Sequence, residues 1–327
     1  MRILFAGSPA IAVPVLEELF KLSRISPDYE LAAILTNPDS PKGRSGVSLP
    51  TDVGAAAERL AAELAAAGKP APLILKPVKL DTEVREKIAA CSPDLLISFA
   101  CGHFFGPKFL ALFPSCGINI HPSLLPKYRG ATPIPAAILA REKETGVSIQ
   151  RLAAELDSGD ILMQARVPLD GRETTASLTE IMAKKAADML PGLLAGLATG
   201  AVRGTPQNHT EACYCTLLTK EDGRIDWNKS AKDIDAHVRA YDPWPQSWTR
   251  HGDQQLFILQ AREMEQKTDI GAVQAGLVLG IDKQQGILVQ TGEGLIAVSR
   301  LQYCAKKALD WKDFLNGTRN FIGSRLG

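Results

Sequence analysis

The chain has 327 residues, enough for two ordinary domains with a core in each. Hydrophobic residues make up 45% and charged residues 22%, the balance of a globular protein. The formal net charge of +1 removes any whole-molecule electrostatic case for a nucleic-acid partner, so a basic surface must be local.

The opening run Met1-Arg2-Ile3-Leu4-Phe5-Ala6-Gly7 is too short for a signal-peptide core and stops at a glycine turn. Later apolar runs are broken by Gly, Pro or charge, so no segment is expected to span a bilayer, and the expected location is cytoplasmic. Arg2 to Ala6 reads as a buried strand, and Ile11 to Leu22 carries Val15, Leu16, Leu19 and Phe20 at helical spacing. Leu31 to Thr36 is a second strand, followed by an Ala-rich helix from Thr51 to Ala67. Pro72 to Leu75 and Leu95 to Phe99 read as strands with a helix, Thr82 to Ala90, between them. This β-α-β-α order argues for a doubly wound, mostly parallel sheet. In such sheets ligands sit at the carboxyl ends of strands, here after Ala6, Thr36, Phe99 and Ile120. Gly7-Ser8-Pro9 is not a G-x-G-x-x-G fingerprint, so a nicotinamide cofactor is unsupported.

Thr174 to Leu197 is a long helical pattern that ends at Thr199-Gly200. Residues 201–215 are polar and poorly periodic, which reads as an extended linker. Within it, Cys213 and Cys215 are spaced C-x-C near His209, short of the usual zinc spacing, so no metal is expected. The six cysteines are scattered and expected to be reduced. From Gln255 onward, short alternating runs separated by glycine turns predict a small β domain, barrel or sandwich. The expected division is a domain over 1–200, a linker over 201–215 and a second domain over 216–327.

Gly117 to His121 reads as a short strand stopped by Pro122. Asn119 and His121 are two residues apart, so a strand puts both on one face. An amide can donate to a developing oxyanion, and an imidazole can donate or relay a proton near neutral pH; together they suit acyl transfer. Leu156-Asp157-Ser158-Gly159-Asp160 offers carboxylates in a tight turn. From spacing alone, a buried structural histidine beside a turn-forming asparagine is equally consistent.

The segment Asn119-Ile120-His121-Pro122-Ser123-Leu124-Leu125-Pro126, with Gly146-Val147-Ser148-Ile149 and the Asp157 turn, resembles the formyltransferases that use 10-formyltetrahydrofolate. Phe5 to Pro9, Thr36 to Arg44, Tyr128 to Ile134, Arg224-Ile225-Asp226-Trp227 and Arg239 to Pro245 are similar to the methionyl-tRNA branch of that family, over essentially the whole chain. The resemblance implies a Rossmann-like formyltransferase domain followed by a smaller OB-like β-barrel that contacts tRNA. It implies Asn119, His121 and Asp157 as the catalytic set: Asn119 on the formyl oxygen, His121 on the tetrahedral intermediate, Asp157 tuning His121 and shuttling protons. It implies a folate site lined by Ser123, Leu124, Leu125 and Pro126, with 10-formyltetrahydrofolate as formyl donor, initiator methionyl-tRNA as acceptor, and a monomer. A formyltransferase for an amino sugar nucleotide and a non-catalytic folate- or RNA-binding relative share the architecture; an intact Asn119, His121 and Asp157 set argues against the latter.

Two departures from the family pattern stand out. Cys101 occupies a position where an aromatic residue is usual, and His103 one that is usually apolar. After Arg44 the loop lacks the family's lysines, leaving Lys42 and Arg44 to meet the tRNA. Near the end of the chain, Arg300, Lys306, Lys307, Lys312, Arg319 and Arg325 outnumber Asp310 and Asp313, with Lys306 and Lys307 the expected phosphate contacts. Trp227, Trp244 and Trp248 are expected to pack rather than to stack on bases.

Overall fold

The computed structural model describes residues 1–41, 46–114, 116–264 and 274–327. Lys42 and Arg44, expected to meet the acceptor, lie outside the described residues. The chain divides into two compact units. The first comprises Met1–Gly130, Thr145–Val167 and Thr179–Tyr214; the second comprises Ala131–Glu144, Pro168–Leu178 and Cys215–Gly327.

The first unit is built on a seven-stranded sheet. Its strands are β1 (Arg2–Gly7), β2 (Glu30–Leu35), β3 (Leu73–Leu75), β4 (Leu95–Phe99), β5 (Cys116–His121), β6 (Glu144–Arg151) and β7 (Ile161–Pro168), in the order β3-β2-β1-β4-β5-β6-β7. The pairs from β3 through β5 are parallel, and β6 runs antiparallel to β5. Ile3, Leu4, Phe5 and Ala6 are all fully buried, as an uninterrupted apolar run in a central parallel strand requires. Helices α1 (Val13–Ile25), α2 (Asp52–Ala66), α3 (Thr82–Ala90) and α4 (Pro107–Leu110) follow their strands. Thr51 caps α2 by accepting the Gly54 N–H, and Asp81 caps α3 by accepting that of Val84. One core cluster gathers Leu4, Ala6, Ala33, Leu35, Ile88, Leu96, Phe109 and Phe113. The order reverses direction between β1 and β4. The turns after these strands meet there, where the Ser8 hydroxyl donates to the Cys101 carbonyl at 3.2 Å.

Strands β6 and β7 lie beyond the elements expected from periodicity. In β7 the exposed residues are Gln164, Arg166 and Pro168, an alternation too short to stand out in the sequence. Residues 201–215 also differ from a free linker. Thr205 pairs with Ile161 through two backbone hydrogen bonds of 2.8 and 2.9 Å, and the Cys213 carbonyl accepts the Arg129 N–H at 2.9 Å.

The second unit holds an antiparallel sheet of β8 (Ser247–His251), β9 (Gln254–Met264), β10 (Val278–Asp282), β11 (Gly286–Gln290) and β12 (Leu295–Tyr303), in the order β8-β9-β12-β11-β10, with Leu309–Asp310 paired to β12. Residues 323–327 bond to both edges: Gly327 exchanges hydrogen bonds with Arg250 of β8, and Leu326 donates to Gly276 ahead of β10. The two edges therefore meet across this segment, and the sheet closes into the expected barrel. Its core holds Trp227, Ile234, Leu256, Val278, Ile287, Val298 and Phe314. After α5 (Pro133–Leu139) and α6 (Thr175–Ala198), helix α7 (Ala231–Ala240) contributes Ile234 and Val238 to that core. Trp227 packs as expected, at 5% exposed, but Trp244 does not: it is 51% exposed, in the turn between Pro243 and Pro245.

Candidate active site

Strand β5 carries Asn119 and His121 on one face, while Ile118 and Ile120 turn to the other and are buried. Register sets their neighbours. Asn119 lies beside Ser98 of β4 and Gln150 of β6, and His121 lies beside Ser148. Side chains in register share a face, so Asn119 and Gln150 point the same way.

Asp157 reaches this face from the turn after β6. The Asp160 carbonyl accepts the Arg151 N–H at 2.9 Å, which folds the turn back onto the strand. A side chain at Gly159 would collide with the Arg151 carbonyl, so only glycine permits that approach. Asp157 itself takes the left-handed conformation, at φ 50°, which Asp tolerates better than most residues.

Three groups thus converge from separate segments. Asn119 Nδ2 donates to Asp157 Oδ1 at 3.3 Å, and His121 Nδ1 stands 3.5 Å from Asp157 Oδ2. Gln150 Nε2 donates to Oδ1 at 2.9 Å and the Gly130 N–H to Oδ2 at 2.9 Å. His121 is 4% exposed, and its Nε2 lies 2.8 Å from the Tyr128 carbonyl. A carbonyl oxygen only accepts, so Nε2 carries the hydrogen and Nδ1 is the nitrogen directed at the carboxylate. The short segment 128–130 therefore steadies both partners: the Tyr128 carbonyl holds the ring, and the Gly130 N–H holds the carboxylate.

The loop Ser123 to Pro126 is anchored from below. Ser148 Oγ donates to the Ser123 carbonyl at 2.6 Å and accepts the Leu125 N–H at 3.0 Å, and Gln164 Nε2 donates to the Leu125 carbonyl at 2.9 Å. Ser123 is fully buried and its hydroxyl donates to the Lys127 carbonyl at 2.6 Å; Leu125 is 3% exposed. Those two side chains are committed to the protein, leaving Leu124, Pro126 and backbone groups at the partly exposed surface of the loop.

Cys101 is 3% exposed, and burial pushes its thiol up to about 11, so it is no nucleophile near neutral pH. Two residues on, His103 Nε2 is buried with no hydrogen-bond partner among the described residues, and burial pushes the ring's pKa down. That loop leaves the sheet from β4, the neighbour of β5. His209, Cys213 and Cys215 form no metal-holding group among the described residues. The Cys213 sulfur instead accepts the Tyr128 N–H at 3.1 Å. Lys306 and Lys307 are exposed in the turn after β12.

Gln150, Gln207 and Arg129 around the carboxylate escaped the sequence reading. Neither glutamine titrates and neither stands in a recognisable spacing; the register of β5 with β6 is the signal that finds Gln150.

Residues 1–194 match the family model described as formyl transferase, and residues 217–319 match the formyl transferase C-terminal domain. The chain is 44% identical over 324 residues to a methionyl-tRNA formyltransferase of Treponema denticola, covering 98% of each chain. It is 38% identical to one of Roseiflexus sp., covering 100% of this chain and 95% of that one. Among solved structures, the sugar 3N-formyl transferase WlaRD, crystallised with dTDP and 5-N-formyl-THF, aligns with a TM-score of 0.64 at 18% identity, over 94% of this chain and 99% of that one. HypX from Aquifex aeolicus, in complex with tetrahydrofolic acid, aligns with a TM-score of 0.61 at 17% identity, over 98% of this chain and 48% of that one.

Proposed function

The chain belongs to the formyl transferase family, within it to the methionyl-tRNA formyltransferases, and we propose that it moves a formyl group from 10-formyltetrahydrofolate to the α-amine of initiator methionyl-tRNA, with Asn119, His121 and Asp157 as the reacting groups. The observation that carries the reading is one carboxylate, Asp157, with the Asn119 amide at 3.3 Å from one oxygen and the His121 imidazole at 3.5 Å from the other, brought together from two separate segments.

The amine lone pair attacks the formyl carbon and forms the new C–N bond, while the carbonyl π pair moves to oxygen. Asn119 Nδ2 has two hydrogens. One is directed at Asp157, and the other is available to the developing oxyanion. The amine loses a proton and the folate N10 must gain one as its bond to the formyl carbon breaks. With His121 Nε2–H held by the Tyr128 carbonyl, Nδ1 and the facing Asp157 Oδ2 are the atoms that carry this proton. The products are the formylated methionyl-tRNA and tetrahydrofolate, and the step needs no metal. The folate is held by backbone groups of Ser123 to Pro126 with Leu124 and Pro126. The unpartnered His103 nitrogen fits a co-substrate that brings its own polar ring to the strand ends. Lys306, Lys307, Lys42 and Arg44 supply the tRNA contacts.

The test is direct. Purified protein incubated with 10-formyltetrahydrofolate and charged initiator tRNA should yield formylmethionyl-tRNA, detected by mass spectrometry of the released amino acid. An amino sugar nucleotide offered instead should remain unformylated. His121→Ala should lower kcat by about 100- to 1,000-fold, the scale of losing one group that stabilises the transition state, with an unaltered circular dichroism spectrum. Near-normal kinetics for that variant would remove the site assignment.

A further inference from the structure

Gln207 lies in the stretch that reads as a polar linker, yet it is 6% exposed inside the first unit. Pairing of Thr205 with Ile161 lays the stretch along β7, and Gly204 lets it pass close over the Asp160 side chain. Gln207 Nε2 donates to the Asp157 carbonyl at 2.9 Å, to the Gly159 carbonyl at 2.7 Å and to Gln150 Oε1 at 3.1 Å. Gln207 Oε1 accepts from Arg129 Nε at 3.1 Å and Nη2 at 2.7 Å. Both ends of the amide are fully used.

The direction of this network is not arbitrary. A guanidinium only donates, so the Gln207 oxygen must face Arg129. The Gln207 nitrogen must then face Gln150 Oε1, which turns Gln150 Nε2 toward Asp157 Oδ1. A flipped Gln150 would set an oxygen lone pair against the carboxylate. Arg129 also follows Tyr128, whose carbonyl holds the His121 ring.

We propose that Gln207 is a positioning residue: it passes the donor polarity of Arg129 through Gln150 to the Asp157 carboxylate and pins the backbone of the Asp157 turn, so that Asp157 faces His121 and Asn119. The inference rests on the assignment of those three as the reacting groups.

Gln207→Glu tests it with almost no change of shape. The glutamate keeps an acceptor for Arg129 but loses the donor toward Gln150, Asp157 and Gly159. We expect kcat to fall about tenfold or more while KM for both substrates and the affinity for tetrahydrofolate, read by fluorescence titration, stay within about twofold. The ratio of variant to wild-type kcat should rise as pH falls, because a protonated glutamate regains a donor. Gln150→Leu should lose kcat in the same way, and it carries the test if Gln207→Glu does not fold. Folded variants with kcat within twofold of wild type, or a loss confined to KM, would overturn the proposal. His121→Ala separates the two levels: if it retains turnover, the site assignment fails, and if it is dead while the Gln207 and Gln150 variants are normal, only the relay fails.

Discussion

A histidine's protonation is set by what surrounds it, and His237 gives a measurable case. Its Nε2 faces the Asp222 carbonyl at 3.1 Å, so that nitrogen carries the hydrogen, and Nδ1 lies 2.8 Å from the Ser247 hydroxyl. Burial, aided by Lys229, pushes its pKa from 6.5 down to about 4. The unfolded chain therefore binds more protons than the folded one between these values. The contribution to stability is complete above pH 6.5 and is lost as pH falls from there through about 4. The shift corresponds to about 3 kcal/mol. His237→Gln should flatten the dependence of the urea midpoint on pH across that window, and parallel wild-type and variant curves would refute the assignment. At the same scale, the catalytic candidates were legible through the resemblance of the Asn119 to Pro126 segment and the Asp157 turn to the formyltransferases; spacing alone left a structural histidine equally consistent. Gln150, Gln207 and Arg129 were not. Their roles arise from who faces whom across β5, β6 and residues 201–215, and no local pattern encodes that. Ser123 is the opposite case: its position was legible but its side chain turned inward, because the hydroxyl is needed to close the loop on Lys127.

Elements follow local chemistry most closely where one end is capped. Helix α7 begins at Ser230, whose hydroxyl accepts the Asp233 N–H at 3.2 Å and donates to Asp233 Oδ2 at 2.6 Å. The helix carries Ile234 and Val238 into the barrel core and presents His237 to Ser247, so its start fixes the placement of several buried groups. Ser230→Ala should cost about 1 kcal/mol, the usual value of such a cap, read as a lower urea midpoint with kcat unchanged. An unchanged midpoint would mean that the tertiary packing alone holds the helix. The apolar runs of β1, β2 and β4 were legible because a strand buried on both faces writes a continuous hydrophobic word. Strand β7 was not, since only Leu162 and Val167 are buried and its outward positions, Gln164, Arg166 and Pro168, make too short an alternation to stand out. Residues 201–215 carry no pattern for a related reason: hydrogen bonding, rather than apolar burial, holds Thr205 and Gln207 in place, and such bonding leaves no periodicity.

At the scale of the molecule, the two units are not two consecutive stretches. Ala131–Glu144 and Pro168–Leu178 belong with the second unit although they fall within the stretch 1–200 expected to form the first domain. Helix α5 (Pro133–Leu139) in the first of these packs on α7, a long-range choice that composition cannot reveal. Charge is the property of the whole chain that bears on the partner. With a net charge of +1, attraction to RNA must come from a few placed cations. Lys306 and Lys307 suit that role because the turn after β12 holds them exposed, fixed at its base by the Lys306 N–H on the Tyr303 carbonyl at 2.9 Å and by Gln302 Nε2 on the Lys306 carbonyl at 2.7 Å. Each phosphate contact releases counterions and adds about one unit to the slope of log affinity against log salt. Replacing both with glutamate should raise KM for the tRNA by about tenfold at moderate salt and flatten the salt dependence by about two units. The KM for the formyl donor should not change, because the loop proposed to hold it, Ser123 to Pro126, belongs to the other unit. A double variant whose tRNA KM and salt slope both match wild type would move the RNA contact elsewhere on the surface.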